Sequence, residues 1–386
     1  SGYSGTFTCK SYYEGTTTKF TGSGGNLSSL SAIGINSGNF TNESTDWACG
    51  AALIYNRLLT DAECELVEEY LKEKFYEEPG SGVLMVGGGG GGGDRHGGGG
   101  GAGEYIEIIA EHEFLTDGND ITIVIGTGGI GGNWENPPSG ITGGGDRAAG
   151  INGTPTTMSL YNTTQIIAGE GKGGATMAGN TPFMFSGATT GTGGSGGGGG
   201  GKAPDTGPTS FTANTSTVSS NYVTILRREC NSGGSATSSL QSGGGGGGAA
   251  SSGTNTSGLS GGTGGSGIQW TDNNWYAAGG NGAGNNSSNT RVNGIGGRGA
   301  WTALSDGSEH AIVNTGSGGG GQRSQDGGAS DGGIGGSGVV VFKFKNPVTI
   351  TSTASYSQST VGDYDYYYIT SSGTVSFQPV VWSYSL

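Results

Sequence analysis

The sequence predicts a mainly β chain in three parts, and three observations carry that reading. Glycine supplies 90 of the 386 residues, against a usual share of about 7%. Its tracts recur from residue 87 to residue 338 and abut apolar runs of strand character, such as Val83-Leu84-Met85-Val86 and Val339-Val340-Val341-Phe342. The rest falls into short alternating segments, and one stretch alone has helical periodicity. The parts are residues 1–80, of ordinary composition, residues 81–345, rich in glycine, and residues 346–386, a small antiparallel β tail or docking segment.

In the first part, Thr6 to Lys10 and Thr16 to Phe20 alternate as strands around the turn-prone Glu14-Gly15. Leu30 to Ile35 and Trp47 to Tyr55 read as two more strands. The helix comes next. Thr60-Asp61-Ala62-Glu63 is a capping box, with Leu59 and Cys64 at the staple positions. Cys64, Val67, Leu71 and Phe75 form one apolar stripe, and Pro79-Gly80 ends the element. The run Leu53-Ile54-Tyr55-Asn56-Arg57-Leu58-Leu59-Thr60-Asp61-Ala62-Glu63, with Tyr70-Leu71-Lys72-Glu73-Lys74, resembles the C-terminal end of concanavalin A-like, laminin G-type sandwiches. That resemblance implies a partial jelly-roll sandwich closed by a helix, and it carries over no calcium or sugar ligand.

The second part opens with Val83 to Val86, then polyglycine broken once by Asp94-Arg95-His96. Further strands are expected at Glu104 to Ala110, Ile121 to Ile125, Thr157 to Tyr161, Thr164 to Ala168, Tyr222 to Leu226 and Val339 to Lys345, with a turn at Phe114 to Asp120. Glycine-rich segments are usually flexible linkers. Here they border apolar strands and are too extensive for loops of a compact domain. The ordered alternative is polyglycine II, an extended helix of three residues per turn without internal hydrogen bonds. Several such helices side by side can pair every N–H and C=O with a neighbour. Ordering costs about 1–2 kcal/mol per residue, so one tract alone cannot fold. Asp94-Arg95-His96 reads as a surface turn between two glycine helices. The single residues Ile130, Ile141, Ile268, Ile295 and Ile334 could seal a core.

The junctions Val83 to Gly93 and Ile121 to Gly129, with the closing Gly336-Ser337-Gly338-Val339-Val340-Val341, resemble glycine-rich domains of polyglycine II bundles and β-strands. Such domains occur in bacteriophage tail-fibre adhesins, in extracellular proteins of algae and viruses, and in receptor kinase ectodomains of the anaplastic lymphoma kinase type. The resemblance implies an extracellular role. In the third part, Thr and Ser runs precede strands at Tyr364 to Ile369, Thr374 to Phe377 and Val380 to Tyr384.

Composition excludes several classes. The net charge is −14, with 16 basic residues scattered thinly, so counterion release on nucleic acid has no basic patch to drive it. No apolar run approaches the roughly 20 residues that span a bilayer. The chain begins at Ser1 without a methionine or signal peptide, as a mature product or a fragment does. Cys9, Cys49, Cys64 and Cys230 fit no zinc spacing and are disulfide candidates, Cys9 with Cys49 on adjacent strands being the expected pair. Glycosylation sequons stand at Asn26, Asn39, Asn42, Asn152, Asn162, Asn214, Asn255, Asn285 and Asn286.

Catalytic, cofactor and metal sites are not expected. Gly126-X-Gly128-X-X-Gly131 matches a dinucleotide fingerprint but lacks the helix that should follow. Gly196 to Lys202 lacks the Ser/Thr of a phosphate loop. Asp117 to Asp120 could hold calcium, though turn chemistry explains it. The loop aromatics Trp134, Phe183, Phe185, Trp270, Trp275, Tyr276 and Trp301 are candidates either for recognition or for roofing the bundle. The expectation is a non-enzymatic extracellular structural or adhesive protein, a homo-oligomer or filament subunit of a surface fibre. The alternatives are a phage or viral tail-fibre adhesin meeting a host receptor, and a carbohydrate-binding module meeting glycans.

Overall fold

A computed structural model of the chain describes residues 6–13, 16–23, 81–110, 112–133, 149–160, 164–178, 181–183, 193–200, 223–236, 242–284, 290–300, 309–323 and 331–380. It divides into two units, Ser1–Glu78 and Pro79–Leu386. In the first, β1 (Thr6–Tyr13) and β2 (Thr16–Ser23) pair antiparallel, with Tyr13 opposite Thr16. The expected strands at 30–35 and 47–55, the helix over 60–75 and the laminin G-like run lie outside the described residues.

The second unit is mainly β. Its strands in chain order are β3 (Ser81–Val86), β4 (Tyr105–Ala110), β5 (Ile121–Val124), β6 (Thr156–Leu160), β7 (Thr164–Ala168), β8 (Thr176–Ala178), β9 (Thr181–Phe183), β10 (Val223–Glu229), β11 (Ile268–Gln269), β12 (Trp275–Tyr276), β13 (Val339–Phe344), β14 (Val348–Ser352), β15 (Tyr356–Val361), β16 (Tyr364–Ile369) and β17 (Gly373–Pro379). A short helix, α1 (His112–Leu115), begins the connection expected as a turn. Six strands form one antiparallel sheet in the order β10-β4-β3-β13-β16-β15, and five form a second in the order β14-β17-β5-β6-β7.

The sheets share one core. Val83, Met85, Ile106, Ile108 and Phe342 of the first meet Ile121, Ile123, Met158, Ile166 and Phe377 of the second. Rings of Phe342 and Phe344 each lie 4.8 Å from Phe377. The apolar run of β3 has no polar alternation because both its faces are covered. Val83 and Met85 face the second sheet, while Leu84 and Val86 pack with Trp270, Tyr276 and Tyr366 on the other side.

Residues 346–386 are not a separate tail as far as they are described. β16 pairs with β13 and β17 with β5, so this segment completes both sheets. Tyr367, Ile369, Val375 and Phe377 are buried, and without them β13 and β5 would present open edges over an exposed core.

The glycine tracts continue the strands. β3 runs directly into residues 87–93, and residues 97–104 run back into β4. Within 87–93 the hydrogen-bond directions repeat every three residues. Gly87, Gly90 and Gly93 donate to Glu104, Gly101 and Gly98; Gly88 and Gly91 donate to Thr154 and Ile151; Gly89 and Gly92 donate to Gly336 and Gly333. The carbonyls of the same tract accept from three further segments: Gly171 and Gly174, Gly129 and Gly132, and Gly319 and Gln322. This is polyglycine II with six neighbours around a central helix. The tract 97–104 is surrounded in the same way, donating to segments 316–322, 169–175 and 244–247 and accepting from 87–93, 195–198 and 280–283.

Close approach is what requires glycine here. A Cβ at any residue from Gly87 to Gly92 would lie closer than 3.0 Å to a neighbouring backbone atom, the Lys172 carbonyl in the case of Gly90. The Cα hydrogen in that place points at the carbonyl oxygen, a weak contact worth about 0.5–1 kcal/mol. Outer tracts obey a looser rule, in which every third residue faces water and carries a side chain. Thr127, Ile130 and Asn133 form one such series, Ser260, Thr263 and Ser266 another, and Asp331, Ile334 and Ser337 a third. Ile130 and Ile334 are therefore 52% and 44% exposed and seal no core. Ile268 does pack against the second apolar cluster; Ile141 lies outside the described residues.

Glu104 stands where the glycine helix becomes β4. Its Oε2 accepts from the Gly169 N–H at 2.8 Å, and Arg228 Nη1 reaches both carboxylate oxygens. Burial raises its carboxyl above the ordinary value against the pull of Gly169 and Arg228.

Two outcomes are expected. Gly90→Val should cost more than about 3 kcal/mol, beyond ordinary overpacking, because the obstructing atoms are backbone; an unchanged thermal melt would refute the packing. The raised Glu104 carboxyl binds its proton more tightly in the folded chain. Its favourable contribution should be complete below the ordinary value of 4.5 and lost as pH rises through the higher folded value. Urea midpoints compared with Glu104→Gln should show that slope in the parent only.

Candidate functional site: the two ends of the glycine bundle

Hydrogen bonds between tracts put their ends at a common level. Gly93 donates to Gly98 across the turn at 94–96, Gln322 to Gly93, Gly132 to Gly92, Gly332 to Gly132, Gly98 to Ala175, Ala175 to Gly198 and Ala283 to Gly97. Ala300 donates to Gly321 beside them. The described residues on both sides of 134–148, 285–289, 301–308 and 324–330 thus lie toward the end of the bundle remote from the sandwich, whereas 184–192 and 201–222 are flanked by that end on one side and by the sandwich on the other, at Gly194 beside Glu170 and at Val223 opposite Ala110. Trp134, Phe185, Trp301, Asn214, Asn285 and Asn286 belong to these segments and lie outside the described residues. Phe183 ends β9, which pairs with β8 after the tract 169–175.

The turn that heads this end is covered, contrary to its reading as a surface feature. Asp94 and His96 are buried, and Arg95 and His96 adopt positive φ values of 49° and 60°. Such backbone is uncommon for residues with a Cβ. Arg323, itself buried, donates from Nε to His96 Nδ1 at 3.1 Å, and Thr176 Oγ1 donates to the Asp94 carbonyl. Burial lowers the Arg323 guanidinium below its ordinary value. Lys172 and Glu170 form a buried ion pair at 2.7 Å.

At the sandwich end, the hairpin of β11 and β12 lies on the outer face of the six-stranded sheet. Trp270 donates from Nε1 to Glu107 Oε1 at 3.0 Å and meets the Tyr366 ring edge-on at 5.6 Å. Arg227 binds the other oxygen of Glu107 and sits 5.0 Å from the centre of the Tyr105 ring. Burial and the Glu107 charge raise the Tyr105 phenol. Trp270 and Tyr276 are buried and serve as cover for Leu84 and Val86, so neither is a recognition residue. Trp275 is half-buried.

The remaining candidates resolve individually. Asn152 accepts from Gly173 N–H at 3.0 Å through Oδ1, and Asn255 is exposed and accepts from Ser235 N–H. Asn26, Asn39, Asn42 and Asn162 lie outside the described residues. Cys230 is a half-buried thiol, pushed up to about 11 by burial and by the Glu104 charge. No disulfide occurs among the described residues; Cys49, Cys64 and the Cys9 side chain lie outside them. His112 Nδ1 pairs with Ser81 Oγ, and His310 Nδ1 accepts from Ile334 N–H. Gly129, Gly132, Gly196 and Gly198 give their N–H groups to other tracts, so the two nucleotide-like glycine patterns are lattice segments. At Asp117 to Asp120, Asn119 closes an Asx turn on Asp117. Among the described residues no group of His, Cys, Asp and Glu is arranged for a metal ion.

The strands of the β-sandwich run on into a hexagonal array of glycine helices. The family model described as a glycine-rich domain matches residues 80–345, and the chain belongs to that family. No curated protein and no solved structure matches the chain. Among the described residues no helix is long and apolar enough to cross a membrane.

Trp270→Ala should lower stability by about 3–5 kcal/mol, the usual cost of removing a buried aromatic ring, read from urea unfolding; a change below about 1 kcal/mol would deny it the covering role.

Proposed function

We propose that the chain is a non-enzymatic extracellular structural and adhesive protein, built into a surface fibre at its sandwich and displaying recognition segments on the far end of its glycine lattice. The observation that carries this is the opposition of two poles. β3 begins and β17 ends at the sandwich pole away from the bundle, because both strands that meet the lattice at Val86 and Gly373 run in opposite senses. The segments 134–148 and 301–308, which hold Trp134 and Trp301, are flanked on both sides by residues at the other pole. A lattice without side chains is a stiff spacer, and rigid scaffolds commonly hold recognition residues on loops. The engagement of His96, His112 and His310 in structural hydrogen bonds, and the protonated state of Cys230, support a role without catalysis.

Purified chain viewed by negative stain should form regular filaments, and adhesion to cells should fall at least tenfold in the double variant Trp134→Ala/Trp301→Ala without a change in melting. Dispersed monomers would remove the fibre. Undiminished adhesion would remove the display role of these segments. Glycan at the sequons, measured by intact mass with and without glycosidase, supports a cellular surface, whereas bare asparagines favour the alternative, a viral or phage tail fibre.

A further inference from the structure

A cleft of about 470 Å³ opens between the β11–β12 hairpin and the outer strands β15 and β16, lined by Asp272, Asn274, Ser357, Gln358, Ser359 and Tyr368. It lies on the sandwich, remote from the loop-bearing end, and plays no part in the reading above. Its origin is a change in side-chain size along one sheet face. Tyr366 and Tyr368 of β16 stand beside Ser359 and Ser357 of β15, and the serines leave space where the hairpin does not reach.

The chemistry of that space is specific. Asp272 is buried, and its position is fixed by Asn274 N–H on Oδ1 and by Asn274 Nδ2 and the Tyr276 hydroxyl on Oδ2, at 3.0, 3.0 and 2.7 Å. Oδ1 therefore retains capacity for a second donor. Tyr368 Oη lies 3.0 Å from Ser359 Oγ and 3.4 Å from Asn274 Nδ2. Burial and the nearby Asp272 charge push the Tyr368 phenol up to about 12, so it remains a donor at neutral pH. The lining offers one fixed carboxylate, the hydroxyls of Ser357, Ser359 and Tyr368 and the primary amide of Asn274, and no cation. A phosphate, sulfate or carboxylate ligand would meet the Asp272 charge without compensation. An apolar ligand would bury polar groups unpaired. What fits is a neutral molecule with several adjacent hydroxyl groups, each able both to donate and to accept.

The geometry points to a binding site for a neutral hexopyranose residue of a glycan, in which Asp272 and Asn274 hold vicinal hydroxyls and Ser357, Ser359 and Tyr368 surround the ring. Charge-assisted hydrogen bonds are roughly twice as strong as neutral ones, so Asp272 is the residue on which affinity depends most.

The test titrates the full chain with galactose, glucose, mannose and N-acetylglucosamine, following tryptophan fluorescence and saturation-transfer NMR. At least one sugar should bind saturably at millimolar concentration, and N-acetylneuraminic acid should not compete. Asp272→Asn should weaken binding at least tenfold. Because Asp272 also holds Tyr276, Ser357→Tyr serves as the second variant: it fills the cleft from an exposed position and should abolish binding with an unchanged melt. Absence of saturable binding to all four sugars overturns the assignment, as does binding that survives Ser357→Tyr. If Ser357→Tyr instead changes sedimentation while no sugar binds, the cleft is a contact between copies and the glycan assignment falls.

Discussion

Exclusion of the Cβ atom governs this molecule. Once glycine helices pack with six neighbours, each backbone carbonyl occupies the volume a side chain would need, and hydrogen bonds leave the helix in every direction around its axis. No pair of tracts is self-sufficient. The ordering of 87–93 depends on segments as distant in sequence as 129–132, 150–154, 171–174, 319–322 and 333–336, so the lattice forms as a whole or not at all.

The sandwich supplies what glycine lacks, a way to fix register. A polyglycine helix can slide along its neighbour at little steric cost, since every residue is alike. Here β3, β4, β5, β6, β7, β10 and β13 each lead into or out of a tract, and their side chains set the axial position. Val83 and Met85 pin one tract, Ile106 and Ile108 the next. Glu104 and Thr156 stitch the junction itself, the latter by donating to the Val86 carbonyl while accepting from Gly126 N–H. Side-chain packing and backbone pairing thus divide the work by position along the chain.

Much of this was legible in the sequence. Val83 to Val86 followed by unbroken glycine implied a strand feeding an ordered helix, and the strands at 121–125, 164–168 and 339–345 fall within a residue or two of those observed. The sequence also holds a finer signal: unbroken glycine marks interior tracts such as 87–93, whereas triplets such as Asp331-Gly-Gly-Ile334-Gly-Gly-Ser337 mark outer ones, with one direction open to water. The integration of residues 346–380 was not legible, because strand pairing over more than 200 residues, as between β17 and β5, leaves no local trace. Nor was the role of Trp270 and Tyr276. An aromatic residue between glycine tracts looks the same in sequence whether it faces solvent or covers Leu84. Asp272 and Tyr368, nearly a hundred residues apart, meet only through the fold.

The position of Ser81 and Pro379 at one pole has a mechanical consequence. Tension applied between them enters β3 and β17 and is carried across the sheets by β13, β16, β14 and β5, loading their antiparallel ladders and the phenylalanine-rich core between them. The glycine helices lie outside that force path, as a branch that β3 enters and β13 leaves side by side in the sandwich. Stretching the chain would strip the sheets first, with the bundle unloaded until its register-setting strands give way.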